Sequence, residues 1–72
     1  MTRAEHLAWC KERALAYCGT SDFMEALSSM AVDLDIHPET QGHPGVMLGM
    51  GLAMTGNLGT SEKMRDFIEG FN

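Results

Sequence analysis

The sequence predicts an all-α protein of four short helices arranged as two antiparallel helical hairpins. Three observations support this fold class: apolar residues recur at three- and four-residue steps, helix-capping residues precede these runs, and Gly and Pro separate them. The chain has 72 residues, which suits one small domain over 1–72. We expect a first hairpin over 2–37, a linker over 38–43 and a second hairpin over 44–70.

The first helix is predicted to begin after Thr2, because Glu5 follows three positions later in a capping-box pattern. It runs to about Cys18, with Gly19 as the expected C′ residue. Lys11 interrupts the apolar stripe, so its alkyl stem should lie along that face with the ammonium in water. The stripe consists of Ala4, Leu7, Ala8, Ala14, Leu15 and Cys18.

The second helix carries the strongest periodic signal in the chain. We expect it to start at Ser21 or Asp22, with Glu25 in the first turn. It should stop before Pro38, because the residue preceding a proline disfavours helical backbone, and His37 would then meet the negative end of the helix dipole. Its apolar line consists of Phe23, Leu27, Met30 and Leu34, with Ala26 and Ala31 beside it.

The third helix is predicted to begin at Pro44, which suits the first helical position, and to end before Gly56. Between 46 and 54 the sequence has almost no polar residue, and a helix that is apolar on all sides is usually buried. Gly49 and Gly51 each cost about 1 kcal/mol against Ala. We therefore expect another helix to approach closely at both glycines.

The fourth helix is predicted to be capped by Thr60 or Ser61, with Glu62 in its first turn. Its inward-facing residues are expected to be Met64, Phe67 and Ile68. Phe71 should fold back onto the core.

A helical repeat is one interpretation of this pattern. At a shift of roughly 37 residues, several apolar and small residues of the two hairpins coincide, as in arrays of helix–turn–helix units. The alternative is that any two amphipathic hairpins can be aligned in this way.

The first hairpin resembles a tetratricopeptide hairpin in the order and spacing of Ala14, Tyr17, Asp22, Phe23, Ala26, Leu27, Met30, Leu34 and Pro38. It departs from that pattern at Arg13, where a large apolar residue is usual, at Asp33, where a small one is usual, and in its turn glycine, which is Gly19 rather than at Ser21.

Over its whole length, the chain resembles a group of small phage and prophage proteins of unassigned function. The resemblance is carried by the stretches AEHLAWCKERAL at 4–15, HPET at 37–40 and MRDFIEGFN at 64–72. It implies a phage-encoded origin, and it brings no catalytic or ligand residues with it.

The charge balance bears on partners and compartment. Five basic and ten acidic residues give a net charge of −5, which argues against binding nucleic acid or anionic lipid. No secretory signal pattern follows Met1, and the most apolar stretch, 46–54, is about half the length needed to span a bilayer. Cys10 and Cys18 lie about 12 Å apart along a helix, too far for a disulfide. We expect a protein of the host-cell cytoplasm.

Two groups of residues have types that could serve metal binding or catalysis. One loop contains His37, Glu39 and His43. A structural zinc site requires four ligands, which typically include thiolates, and both cysteines lie on a different helix. His6 and Cys10 are neighbours on a helix, yet so small a helical unit has little room for a cleft. We predict no catalytic, metal or cofactor site.

The remaining acidic and glycine motifs are also assigned to structure. Asp33 and Asp35 point to different sides of a helix, and we expect them to form a solvated face with Glu39. Gly49 and Gly51 lack the third glycine and the preceding strand of a dinucleotide-binding loop.

Protein interaction is the function class that remains. Trp9 falls nearly opposite the apolar stripe and near Arg13, a pairing typical of binding hot spots, although the indole could instead lie flat on its own helix or on Phe71. The 7 methionines either fill the core or form an adaptable contact face. We predict a non-enzymatic interaction module that binds a host or phage protein, itself as a homodimer, or both. The alternatives are an inhibitor of a host enzyme or defence system and a virion structural or assembly accessory.

Overall fold

A computed structural model describes residues 2–20 and 22–72, and every regular element in these two ranges is helical. The elements are α1 (Arg3–Cys18), α2 (Glu25–Ile36), α3 (Pro44–Met54) and α4 (Ser61–Glu69). The predicted all-α fold class is confirmed.

The four helices form two antiparallel hairpins. In the first, His6 near the start of α1 lies against Asp33 and His37 at the far end of α2. In the second, α3 and α4 meet through Gly49 and Phe67, and Gly45 near the start of α3 lies against Phe71 beyond the end of α4. The α1–α2 pair is packed most extensively, while α4 packs on both helices of that pair and α3 packs on α2.

The ends of α1 and α4 follow local signals that the sequence carries. The Thr2 hydroxyl accepts from the Glu5 N–H and the Glu5 carboxylate accepts from the Thr2 N–H, which completes the predicted capping box. Thr60, one of the two predicted caps, accepts from the Lys63 N–H. Gly19 does end α1, but with φ at −87° rather than in the left-handed region of a usual C′ glycine.

The start of α2 differs from the prediction. The Asp22 side chain does not cap the helix, which begins three residues later at Glu25, and Ser21 lies outside the described residues. A turn over 22–24 precedes it, in which the N–H groups of Glu25, Ala26 and Leu27 each bond to the carbonyl three residues back. Because backbone carbonyls already accept these N–H groups, no side-chain cap is needed.

The core lies between α1, α2 and α4. The predicted inward residues of α2 and α4 are buried or half-buried, and Phe71 folds onto the core as expected. The buried face of α1 is rotated from the predicted stripe, because Ala4 and Ala8 are exposed whereas His6 and Cys10 are buried. The buried apolar residues are Leu7, Cys10, Ala14, Cys18, Ala26, Leu27, Met30, Leu34, Leu58, Met64, Ile68 and Phe71.

Side-chain hydrogen bonds fix the linker between α2 and α3. Thr40 is buried, and its hydroxyl donates to the carbonyl of Leu34 at 2.6 Å. His43 then caps α3 by accepting the Gly45 N–H at Nδ1. Its Nε2 lies 2.8 Å from the carbonyl of Asn72, which can only accept, so this nitrogen carries the proton. The linker therefore joins the end of α2, the start of α3 and the segment after α4.

Candidate functional site

The predicted interaction pair, Trp9 and Arg13, lies on α1 at the edge of the α2 contact. The Arg13 guanidinium carbon is 4.6 Å from the centroid of the Trp9 ring, in cation–π contact. The His6 ring stacks on the same indole, with centroids 5.5 Å apart and planes at 26°. Trp9 is half-buried and packs against the core, so the indole lies along its own helix with part of its surface still accessible.

Arg13 also forms an ion pair that the sequence reasoning missed. Its Nε donates to Oδ2 of Asp33 at 2.8 Å, and the Asp33 side chain is 6% exposed against 55% for Arg13. The expectation that Asp33 belongs to a solvated acidic face is wrong, because a cation twenty residues away in sequence covers it. Asp35 does point to solvent, where it accepts the Gly42 N–H.

This ion pair gives the buried Asp33 carboxylate a partner on the other helix of the hairpin. A buried carboxylate without a partner is costly, so Arg13 offsets part of the cost of burying Asp33. Arg13, Tyr17, Val32 and Asp33 line a shallow groove of about 220 Å³ between α1 and α2.

The Cys10–His6 pair has the wrong geometry for a nucleophile and its base. The Cys10 sulfur is 3.5 Å from Nε2 of His6, but that nitrogen lies 2.8 Å from the carbonyl of Asp33 and donates its proton there. It therefore has no lone pair to take a proton from the thiol. Burial, and then the Asp33 charge, raise the pKa of Cys10. A fully buried thiol with a raised pKa is a packing residue.

The two histidines of the group His37, Glu39 and His43 use ring nitrogens in other contacts. His37 stacks on His6 with ring centroids 5.1 Å apart, and its Nδ1 accepts the Glu39 N–H. The two ring nitrogens of His43 are engaged by Asn72 and Gly45. Across residues 2–20 and 22–72, no three His, Cys, Asp or Glu side chains are arranged to hold a metal ion.

The most exposed apolar surface lies on α3, and the sequence reasoning misplaced it. The prediction that this helix is buried is wrong: Gly49 is its only buried residue, while Met47 is 79% and Met54 88% exposed. Met50 and Leu48 are at least half exposed as well. We call Met47, Met50, Gly51 and Met54, which follow the i, i+3, i+4, i+7 spacing of one helix side, the α3 methionine face.

The two glycines of α3 have opposite surroundings. A Cβ at Gly49 would lie 2.7 Å from atoms of Leu27 and Phe67, so this glycine permits α2 and α4 to approach, as predicted. A Cβ at Gly51 would have nothing within 4 Å, so the predicted approach of another helix there is wrong for this chain. Residues two apart in a helix point about 200° from each other, and Gly51 therefore belongs to the solvent side.

A groove of about 360 Å³ lies beside this face, between the start of α3 and the end of α4. It is lined mainly by Gly45, Leu48, Phe67 and Phe71, with the Asp66 carboxylate at its edge. The His43 and Phe71 rings are tilted against each other at 5.1 Å. Leu48 links this groove to the exposed surface of α3.

These features define a class: a small all-helical protein with an unpaired apolar helix face and no assembled catalytic group among its described residues. No family model matches the chain, and no curated protein or solved structure is significantly similar to it. Among the helices described here, none combines the length and the apolarity needed to cross a membrane.

Proposed function

We propose that this chain is a non-enzymatic protein-interaction module that binds another protein through the α3 methionine face. The observation that carries the proposal is the exposure of α3: an eleven-residue helix with no charged side chain keeps its Met residues in solvent. Contiguous apolar surface of this kind marks interaction sites in soluble domains.

The chemistry of the face suits a contact surface. Burying a Met or Leu side chain contributes about 1.5–3 kcal/mol, so several together can offset part of the cost of association, which is about 4–15 kcal/mol. Unbranched thioether side chains adapt to irregular partners. The α3 methionine face carries no charged side chain, so a partner can cover it without removing a charge from water or breaking an ion pair.

The rest of the molecule supports a binding role rather than a catalytic one. The Cys10 thiol, the one nucleophile considered in the sequence, faces a histidine nitrogen that already donates a proton elsewhere. Trp9 and Arg13 offer a smaller second surface next to the groove between α1 and α2, and we retain them as a secondary contact.

The resemblance to small phage and prophage proteins supports a phage-encoded origin and a place in the host-cell cytoplasm. Two buried free cysteines accord with a reducing compartment. A host enzyme or defence component, a virion component and a second copy of the chain are then the candidate occupants of the same face.

The test is site-specific photo-crosslinking in the full chain. A photoreactive residue at position 54 should give a covalent protein adduct, and Met50→Lys in the same chain should remove it because the lysine places a charge in the contact. The matched control carries the photoreactive residue at Glu12, an exposed position on α1. Equal labelling at 54 and 12, or an adduct at 54 that survives Met50→Lys, would refute the assignment of the face.

A further inference from the structure

The α3 methionine face has a gap at its centre. Gly51 is flanked along the helix by Met47, Met50 and Met54, and a side chain there would meet open space. The same helix uses Gly49, on its other side, to admit Leu27 and Phe67. The distance between the axes of two packed helices depends on the size of the side chains where they cross. Because Gly51 has no side chain, a second helix can approach α3 closely at this position.

The charge pattern is compatible with a second copy at this helix. The chain has a net charge of −5, so two copies carry a net repulsion. The segment 40–61 contains no Asp, Glu, Lys or Arg, and it includes all of α3. This helix is therefore a surface on which two acidic copies meet without like charges opposite each other.

Building on the proposed function, we propose that the occupant is the α3 helix of a second copy. The two helices cross at Gly51 about a twofold axis, as in the isologous interfaces of symmetric dimers. Each Gly51 faces the other copy, and the Met47 and Met54 side chains of each copy pack beside the crossing. The close approach that the sequence predicts at Gly51 is then satisfied between chains.

The area of the face sets the expected affinity. Burying one Met or Leu side chain removes on the order of 100 Å² from water, so the three methionines and Leu48 supply a few hundred Å² per copy. A standard interface buries about 800 Å² per partner. The α3 methionine face is smaller than this, so we expect a weak dimer, with a dissociation constant of about 10 µM or higher.

The experiment is sedimentation equilibrium of the full chain from about 1 µM to about 1 mM, a range that brackets this constant. The wild-type chain should pass from monomer to dimer. Gly51→Glu puts two carboxylates at the twofold axis and should weaken the dimer about tenfold or more. It should leave the monomer folded, because the site is open and Glu favours helix over Gly. Met54→Glu is a second variant with the same expected effect.

The matched control is Ile36→Glu. Ile36 is 65% exposed on α2 and lines neither groove, so this variant makes the same change in charge at an exposed apolar residue outside the face. It should shift the dissociation constant less than about twofold, because the added charge lies on α2, outside the contact, and is partly screened by salt. Raising the salt concentration should tighten the wild-type dimer, since salt screens the repulsion between acidic copies.

Two results would overturn the proposal: a wild-type chain that stays monomeric to about 1 mM, or equal weakening by Gly51→Glu and Ile36→Glu. A monomeric chain that still gives the position-54 adduct with a different protein would refute the second copy as occupant and leave the proposed function standing. A chain that stays monomeric and also gives no adduct at position 54 would refute both the dimer and the proposed function.

Discussion

Replacing Gly49 and Gly51 by alanine, one at a time, separates packing from helix propensity within a single helix. Both substitutions add one methyl group to α3, and each gains about 1 kcal/mol from the better helix propensity of Ala. At Gly51 nothing opposes this gain, because the added carbon meets no atom within 4 Å. We expect Gly51→Ala to raise the melting temperature by about 4–8 °C.

At Gly49 the added carbon would lie 2.7 Å from Leu27 Cδ1 and from Phe67 Cε2. Overpacking of this kind costs about 1–3 kcal/mol, and the propensity gain offsets only part of it. The net expectation for Gly49→Ala is a change between about zero and 2 kcal/mol of destabilisation, or up to roughly 16 °C in melting temperature. The two variants should therefore differ by about 1–3 kcal/mol.

Thermal and urea unfolding monitored by circular dichroism, at a few micromolar so that association does not contribute, would measure this difference. Equal stabilisation by both variants would show that α3 does not lie close to Leu27 and Phe67. The reasoning about the buried side of the helix would then be refuted.

Three further predictions concern the cap, the ion pair and the thiols. Thr60→Ala removes the N-cap of α4 and should lower the free energy of unfolding, measured with urea, by about 1 kcal/mol; no change would mean that the cap bond is not formed. Arg13→Ala leaves the Asp33 carboxylate buried without its cation and should cost about 1–3 kcal/mol in the same assay, so a neutral result would contradict that burial. Burial raises the pKa of Cys10 and Cys18, so the folded chain keeps thiol protons that the unfolded chain loses above about pH 8.5. The free energy of unfolding should therefore not depend on these thiols below that pH, and it should fall as the pH rises above it. In the double variant with Ala at positions 10 and 18, the free energy of unfolding should fall less steeply with pH. An identical slope in the wild-type chain and the double variant would count against buried thiols.

Features encoded by neighbouring residues were the ones that the sequence predicted well. The Thr2–Glu5 capping box and the Thr60 cap each involve residues three apart, and both helices begin where these residues indicate. The start of α2 was misplaced because Asp22 has the residue type of a cap, yet backbone carbonyls of the preceding turn accept the N–H groups.

Features that depend on distant residues could not be predicted from local pattern. The Asp33 carboxylate is buried with an ion-pair partner, Arg13, that lies on another helix twenty residues earlier in the sequence. Similarly, the composition of α3 predicts burial, but only one side of this helix contacts the core. Gly49 is buried there and Val46, Leu52 and Ala53 are half-buried against the core, whereas the methionines lie in solvent. Among the described residues, no other helix lies over the outer side of α3.

The division of methionines between interior and surface has a chemical consequence. Peroxide transfers an oxygen atom to an exposed thioether, giving a sulfoxide and water, and the product is polar where the original side chain was apolar. Met47 and Met54 are open to such an oxidant, whereas Met30 and Met64 are fully buried and protected by the fold. Mild oxidation should therefore weaken the contact that we propose for the α3 methionine face while leaving the packed helices intact, and sulfoxide reductases could reverse the change.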